Sequence, residues 1–151
     1  MKISTKARYG LRALVDLAVH STGEQVPLIY IAKRQSLSIN YLEQVFSLLK
    51  KNGIVRSVKG AQGGYMLGRE ASRITVGDVL RAIEGEILIV EEDIKKNDTS
   101  LLYQNMQECL QKQVWDKITE SVCKVIDGIT LEDLMKDYQK LMHDDLNMYY
   151  I

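Results

Sequence analysis

Four glycines fall within the twelve residues 57–68, SVKGAQGGYMLG. A loop this rich in glycine can do two kinds of chemistry. Its backbone N–H groups can cradle a phosphate, or its glycines can turn a hairpin tightly enough to press the tip against something else. A phosphate cradle requires Gly-x4-Gly-Lys-Ser/Thr opening a helix, and no Lys-Ser/Thr pair follows these glycines. The dinucleotide fingerprint also fails, because YMLG continues as a strand rather than a helix. The preceding IVRSVK is β-branched and alternating, so the segment is predicted to be a hairpin. Arg56, Lys59 and Gln62 lie along its first strand and tip.

The second chemical cluster sits just upstream, in INYLEQVFSLLKKNG. Leu42, Val45, Phe46 and Leu49 fall on one face of a helix, with Ser38 placed to cap it and Gly53 to end it. The opposite face carries Asn40, Glu43, Gln44, Ser47, Lys50 and Lys51, with Tyr41 in the same first turn. Amides and carboxylates near a helix start can read base edges: Asn or Gln pairs with adenine, and Glu accepts from cytosine N4. Lysines at the far end suit phosphates, which position a protein without reading sequence. An ordinary surface helix has a polar outer face too, so this helix alone leaves both readings open.

The neighbouring elements decide between them. Leu11, Leu14, Val15, Ala18 and Val19 repeat at helical spacing, and Thr22-Gly23 ends that first helix. Pro27 to Arg34 offers Leu28, Ile31 and Ala32 to the same core, with Pro27 suited to a first helical turn. A short helix, a tight turn and a second helix make a helix-turn-helix, whose second helix enters the DNA major groove. The hairpin that follows directly is then a wing, carrying Arg56 and Lys59 to the backbone or into a narrow minor groove.

Net charge is zero over 151 residues, but the two halves differ. Residues 1–80 hold twelve Lys and Arg against five Asp and Glu, and residues 81–151 hold eight against fifteen. The basic half suits a polyanion; the acidic half has another job. The two cysteines lack framework spacing, no stretch approaches the ~20 apolar residues of a membrane span, and Arg12 and Asp16 interrupt the only leader-like run. A cytoplasmic location is expected. No nucleophile–base pair or metal-ligand spacing is visible, which argues against an enzyme.

MKISTKARYGLRAL, SINYLEQVFSLLKKNGIVRSVKGAQGGYMLG and ITVGDVLRAIEG together resemble the Rrf-two (IscR/CymR) family of winged-helix bacterial regulators, across residues 1–85 almost continuously. The resemblance is greatest to its cysteine-metabolism branch. It implies a mainly α fold with a small β-hairpin: a winged helix-turn-helix DNA-binding domain plus a long dimerisation helix. It also implies a homodimeric repressor on a palindromic operator of double-stranded DNA. By the same resemblance Asn40, Glu43 and Gln44 read bases. Lys59 stands where members usually carry an arginine, keeping the charge but losing the planar fork.

The expected domains are 1–85 (winged domain), 86–99 (charged linker) and 100–151 (dimerisation helix and tail). Thr75 and Thr130 are predicted helix caps. From about Ser100 a long helix offers Leu102, Met106, Leu110, Val114, Ile118, Val122 and Val125, a stripe that a partner subunit would cover. The family's iron–sulfur branch needs three cysteines in the linker, yet residues 86–105 contain neither Cys nor His. Cys109 and Cys123 are about 21 Å apart at helical rise and are read as buried small hydrophobes. His20 and His143 are read as surface or capping residues. No cofactor is expected.

The chain ends in NMYYI after an acidic run. Those side chains either dock on the long helix or form a ligand, since a tail ending in a free carboxylate and an apolar side chain can enter a concave site. The ending resembles that of the cysteine-metabolism repressors and of serine acetyltransferase. That resemblance implies that Tyr149, Tyr150 and Ile151 engage cysteine synthase (O-acetylserine thiol-lyase). The alternatives are a redox- or iron–sulfur-responsive regulator of the same family and, from another class, a protein-binding adaptor with no use for DNA.

Overall fold

A computed structural model describes residues 2–90 and 100–149. Seven α-helices and one hairpin run in the order α1 (Thr5–His20), α2 (Leu28–Gln35), α3 (Ile39–Lys51), β1 (Val55–Val58), β2 (Gly64–Leu67), α4 (Val76–Glu84), α5 (Leu101–Leu110), α6 (Asp116–Asp127) and α7 (Leu131–Met148). The fold is mainly α with one antiparallel two-stranded sheet, in which Val55 pairs with Leu67 and Val58 with Gly64. This is the winged helix-turn-helix predicted from the pattern.

Local chemistry sets most helix ends where the sequence put them. Ser4 and Ser38 accept from the N–H groups of Ala7 and Tyr41. Thr75 and Thr130 each form a full capping box, with Asp78 and Asp133 reaching back to the cap N–H. Gly53 (φ +72°) follows α3 and donates its N–H to the Lys50 carbonyl. Pro27 stands one residue earlier than its pattern suggested, as the N-cap of α2 rather than in its first turn.

The core gathers Leu14 and Leu17 from α1, Ile31 from α2, the face Leu42, Val45, Phe46 and Leu49 from α3, then Ile54, Ile74 and Val79. Each fully buried large apolar side chain contributes about 1.5–3 kcal/mol relative to exposure, so the buried face of α3 fixes which side it leaves outside. Gly10 lets α1 approach closely: a Cβ there would meet Ile83 and Val45 at 2.5 and 2.9 Å. The core also takes Leu131, the first residue of α7, whose N–H donates to the Ile74 carbonyl at 2.8 Å.

The long helix from Ser100 is interrupted. Gln111–Trp115 form a π turn, in which the Asp116 N–H reaches back to the Gln111 carbonyl. None of the residues of α5 or α6 is buried, and Leu102 and Met106 stay 84% and 62% exposed. Cys109 is exposed and Cys123 half-buried, which corrects their reading as buried small hydrophobes. Of the apolar stripe, Leu102, Met106, Leu110, Ile118 and Val125 are exposed among the described residues, whereas Val114 and Val122 are half-buried, Val122 lining a small cavity with Leu80 of α4. Among the described residues no helix is long and apolar enough to cross a membrane.

Candidate nucleic-acid interface

The polar face of α3 is entirely outward. Asn40, Glu43, Gln44, Ser47, Lys50 and Lys51 are all exposed, because their neighbours at helical spacing fill the core. No hydrogen bond or ion pair among the described residues engages the side chains of Asn40, Glu43, Gln44, Lys50 or Lys51, so they are available to a ligand. Tyr41 differs: it is half-buried and packs edge-to-face against Tyr9, ring centroids 6.2 Å apart. The Arg12 guanidinium lies 4.9 Å over the same Tyr9 ring, joining α1 to the start of α3.

The hairpin stands beside this face. Arg56, Lys59 and Gln62 are exposed along β1 and its tip, and the Arg56 Nη2 donates to the Met66 sulfur at 3.3 Å. Gly60 adopts φ +129°, a conformation only glycine takes without strain. The tip does not hang free. Gln25 Nε2 donates to the Gln62 carbonyl at 2.7 Å, and Val26 exchanges both backbone hydrogen bonds with Tyr65 at 2.9 Å. Gln25 carries no signal in the sequence, because its partner lies 37 residues away.

One charged cluster holds the turn before α3. Asp16, only 5% exposed, accepts from Arg34 Nε and Nη2 and, at 2.8 Å, from Gln35 Nε2. The hydrogen bond to Asp16 raises the Arg34 guanidinium above its ordinary value, against partial desolvation. Arg12 Nη2 adds a bond to the Gln35 carbonyl at 2.9 Å. Ser36 then takes a left-handed conformation (φ +53°), and the chain turns into α3.

A buried-face helix after a pinned turn, with an anchored basic hairpin next to it, is what a winged major-groove reader requires. Residues 3–137 match the family described as Rrf2, iron-dependent transcriptional regulator. The chain belongs to this family.

Curated relatives include the HTH-type transcriptional regulator IscR of Vibrio atlanticus, 40% identical over 96% of this chain and 81% of that protein. Its counterpart in Xenorhabdus nematophila is 38% identical over 93% of this chain and 83% of that protein. Among solved structures, CymR, the global cysteine regulator of B. subtilis, superimposes with TM-score 0.73 at 39% identity, covering 90% of this chain and 97% of that one. T. potens IscR gives 0.72 at 43%, covering 93% and 90%. These relatives are transcriptional regulators, and this Rrf2-family chain is a DNA-binding transcriptional regulator rather than an enzyme.

The family description implies iron, and the residues present do not fit an iron–sulfur cluster. Such clusters are held by several thiolates within a few ångströms of one another. This chain has two cysteines, one on α5 and one on α6, about 21 Å apart at helical rise on either side of the π turn. Among the described residues no three His, Cys, Asp or Glu side chains converge as a metal site. His20, at the end of α1, is exposed, with its Nδ1 2.8 Å from the Asp16 carbonyl oxygen. Tyr149 stands 88% exposed just after α7. Tyr150 and Ile151, read as partner-binding, lie outside the described residues.

Proposed function

We propose that this Rrf2-family chain is a homodimeric repressor that reads a palindromic operator and reports sulfur supply through its C-terminal tail. The observation that carries the first half is the free polar face of α3 beside an anchored wing. Asn40, Glu43 and Gln44 contact base edges in the major groove, with Tyr41 at the adjoining backbone. Lys50, Lys51 and Arg56 bind phosphates, and Lys59 and Gln62 sit at the wing tip. Two copies joined through the exposed stripe of α5 and α6 place two such faces on two half-sites. The units are a winged domain over residues 1–85, a linker over 86–99 and a dimerisation helix with its tail over 100–151.

The cysteine reading draws on three things. The donor set does not suit a cluster, CymR is among the similar structures, and α7 presents Tyr149 to solvent rather than docking it. The tail Tyr149-Tyr150-Ile151 inserts its carboxylate into cysteine synthase, where O-acetylserine competes for the same pocket. A gel-shift series on the chain's own upstream region with a salt titration tests the DNA half. Deleting Ile151 should abolish co-purification with cysteine synthase and leave dimerisation and intrinsic DNA binding intact. Unchanged affinity of the truncated chain, or failure of O-acetylserine to displace the full-length one, sinks the tail reading. Stoichiometric iron and sulfide in anaerobically purified protein would favour the iron–sulfur alternative instead.

A further inference from the structure

Between α1 and α7 lies a cavity of about 470 Å³, away from the polar face of α3. Its walls are two facing helical stripes. Leu11 and Val15 on one side and Leu134 and Leu141 on the other make it apolar. The charged groups are sorted between the walls: Arg8 and Arg12 come from α1, and Asp137 comes from α7.

These charges are not spent on one another. Arg8 Nη2 donates to Thr5 Oγ1 at 3.1 Å and Arg12 to the Gln35 carbonyl, both neutral acceptors. Asp137 has no ion pair or hydrogen bond to its side chain among the described residues. Of the other titratable groups on the cavity, Asp16 is already engaged by Arg34 and Gln35 and His20 by the Asp16 carbonyl, while Tyr138 adds a phenol hydroxyl to the α7 wall. A cavity with two cations on one wall that carry no anionic partner (Arg12 is held by the Gln35 carbonyl and the Tyr9 ring), a free carboxylate on the other and an apolar body between them complements a zwitterion with a hydrophobic side chain. Its volume lies within the range of small-molecule sites, about 300–1,000 Å³.

We infer that this cavity binds an α-amino acid with a large apolar side chain. Its carboxylate lies on Arg8 and Arg12, its ammonium on Asp137, and its side chain among Leu11, Val15, Leu134 and Leu141. The site has a line to the DNA-reading helix. Arg12 also holds the Gln35 carbonyl, the last of α2, next to the left-handed turn at Ser36 that leads into α3. A ligand carboxylate drawing on Arg12 competes with that carbonyl, so the bound form differs in operator affinity. This coupling rests on the operator reading above; the binding itself does not.

Thermal-shift titration of the full chain with L-leucine, L-methionine and L-tryptophan separates the two. At least one of them should raise Tm saturably, while its decarboxylated amine and its des-amino acid should not. Arg8→Gln and Asp137→Asn, both at exposed positions, should each weaken that binding by roughly tenfold, the loss of one charge-assisted contact, with Tm of the free protein unchanged. Absence of saturable stabilisation by all three overturns the inference. So does equal binding of the amine or acid alone, binding indifferent to both variants, or a dimer structure in which the partner's helix fills the cavity. A gel shift with and without the bound amino acid then tests the coupling: an unchanged operator affinity removes that part only.

Discussion

Asp127 receives both ends of the Arg81 guanidinium, Nη1 at 2.7 Å and Nη2 at 2.8 Å. The bidentate pair ties α4 to the last turn of α6, and Gly77 makes room for it, since any Cβ there would collide with the Asp127 carboxylate. Beside it, Val76 N–H donates to the Ile129 carbonyl at 2.9 Å. The long helix is therefore oriented on the winged half by one ion pair and a short backbone ladder.

That pair gives acid stability a specific signature. The hydrogen bond from Arg81 holds the Asp127 carboxyl below its ordinary value, so the folded state binds this proton more weakly than the unfolded chain. Its contribution is complete above the ordinary carboxylate range and is lost as pH falls through the lowered folded value. Asp133, held down by the Thr130 backbone N–H, acts in the same direction. Tm measured from neutral pH downwards should fall more steeply for the natural chain than for Asp127→Asn. Parallel curves would show that the pair contributes nothing.

Reading and positioning should separate on α3. Gln44→Ala should cost about 1–3 kcal/mol on the operator and relax base choice at one position, whereas Lys50→Ala should weaken all DNA alike and lower the salt slope. Binding isotherms on operator and random duplex at several salt concentrations measure both. Equal losses on the two duplexes for Gln44→Ala would remove that residue from the readers.

The wing should depend on Gly64. A Cβ at this position would lie 2.5 Å from the Val26 carbonyl oxygen, where Val26 pairs with Tyr65. Gly64→Ala should therefore push the hairpin off its anchor and weaken operator binding at least several-fold. The outcome to compare is Gln25→Ala, which frees only the tip: it should lower affinity less and leave Tm nearly unchanged. A Gly64→Ala chain with full affinity would show that the wing is not needed.

Subunit association should depend on α5. Met106 is 62% exposed on α5 between the exposed Leu102 and Leu110, so Met106→Glu places a charge where a partner would sit. Sedimentation of this variant should give a monomer, with operator affinity lost and the far-ultraviolet spectrum retained. A variant that stays dimeric would move the association surface elsewhere.

The sequence revealed what is local. Ser38, Thr75 and Thr130 cap helices because a hydroxyl meets an N–H three residues on, and Leu42, Val45, Phe46 and Leu49 announce a buried face by spacing alone. What depended on distant partners stayed hidden. Asp16 read as an interruption of an apolar run, yet it is buried because Arg34 and Gln35 return to it from 18 and 19 residues away. The cysteines read as buried small hydrophobes once their separation ruled out a shared metal, but Cys109 lies on the exposed helix α5 and Cys123 is only half-buried on α6. The candidate reading face was thus legible, while the cluster that pins its turn was not.

The π turn at Gln111–Trp115 acts on the helix like a change of phase. Apolar residues spaced by four, from Leu102 to Val122, wind about 200° around a straight α-helix, because each step overshoots a full turn by about 40°. One inserted residue takes back about 100° of that winding. The apolar rows before and after the turn are thereby aimed within roughly a quarter turn of each other. Removing Gln113 alone would relax the turn to regular α-helix and keep both rows on their common side, whereas straightening the turn with every residue kept would swing one row about 100° away from the other.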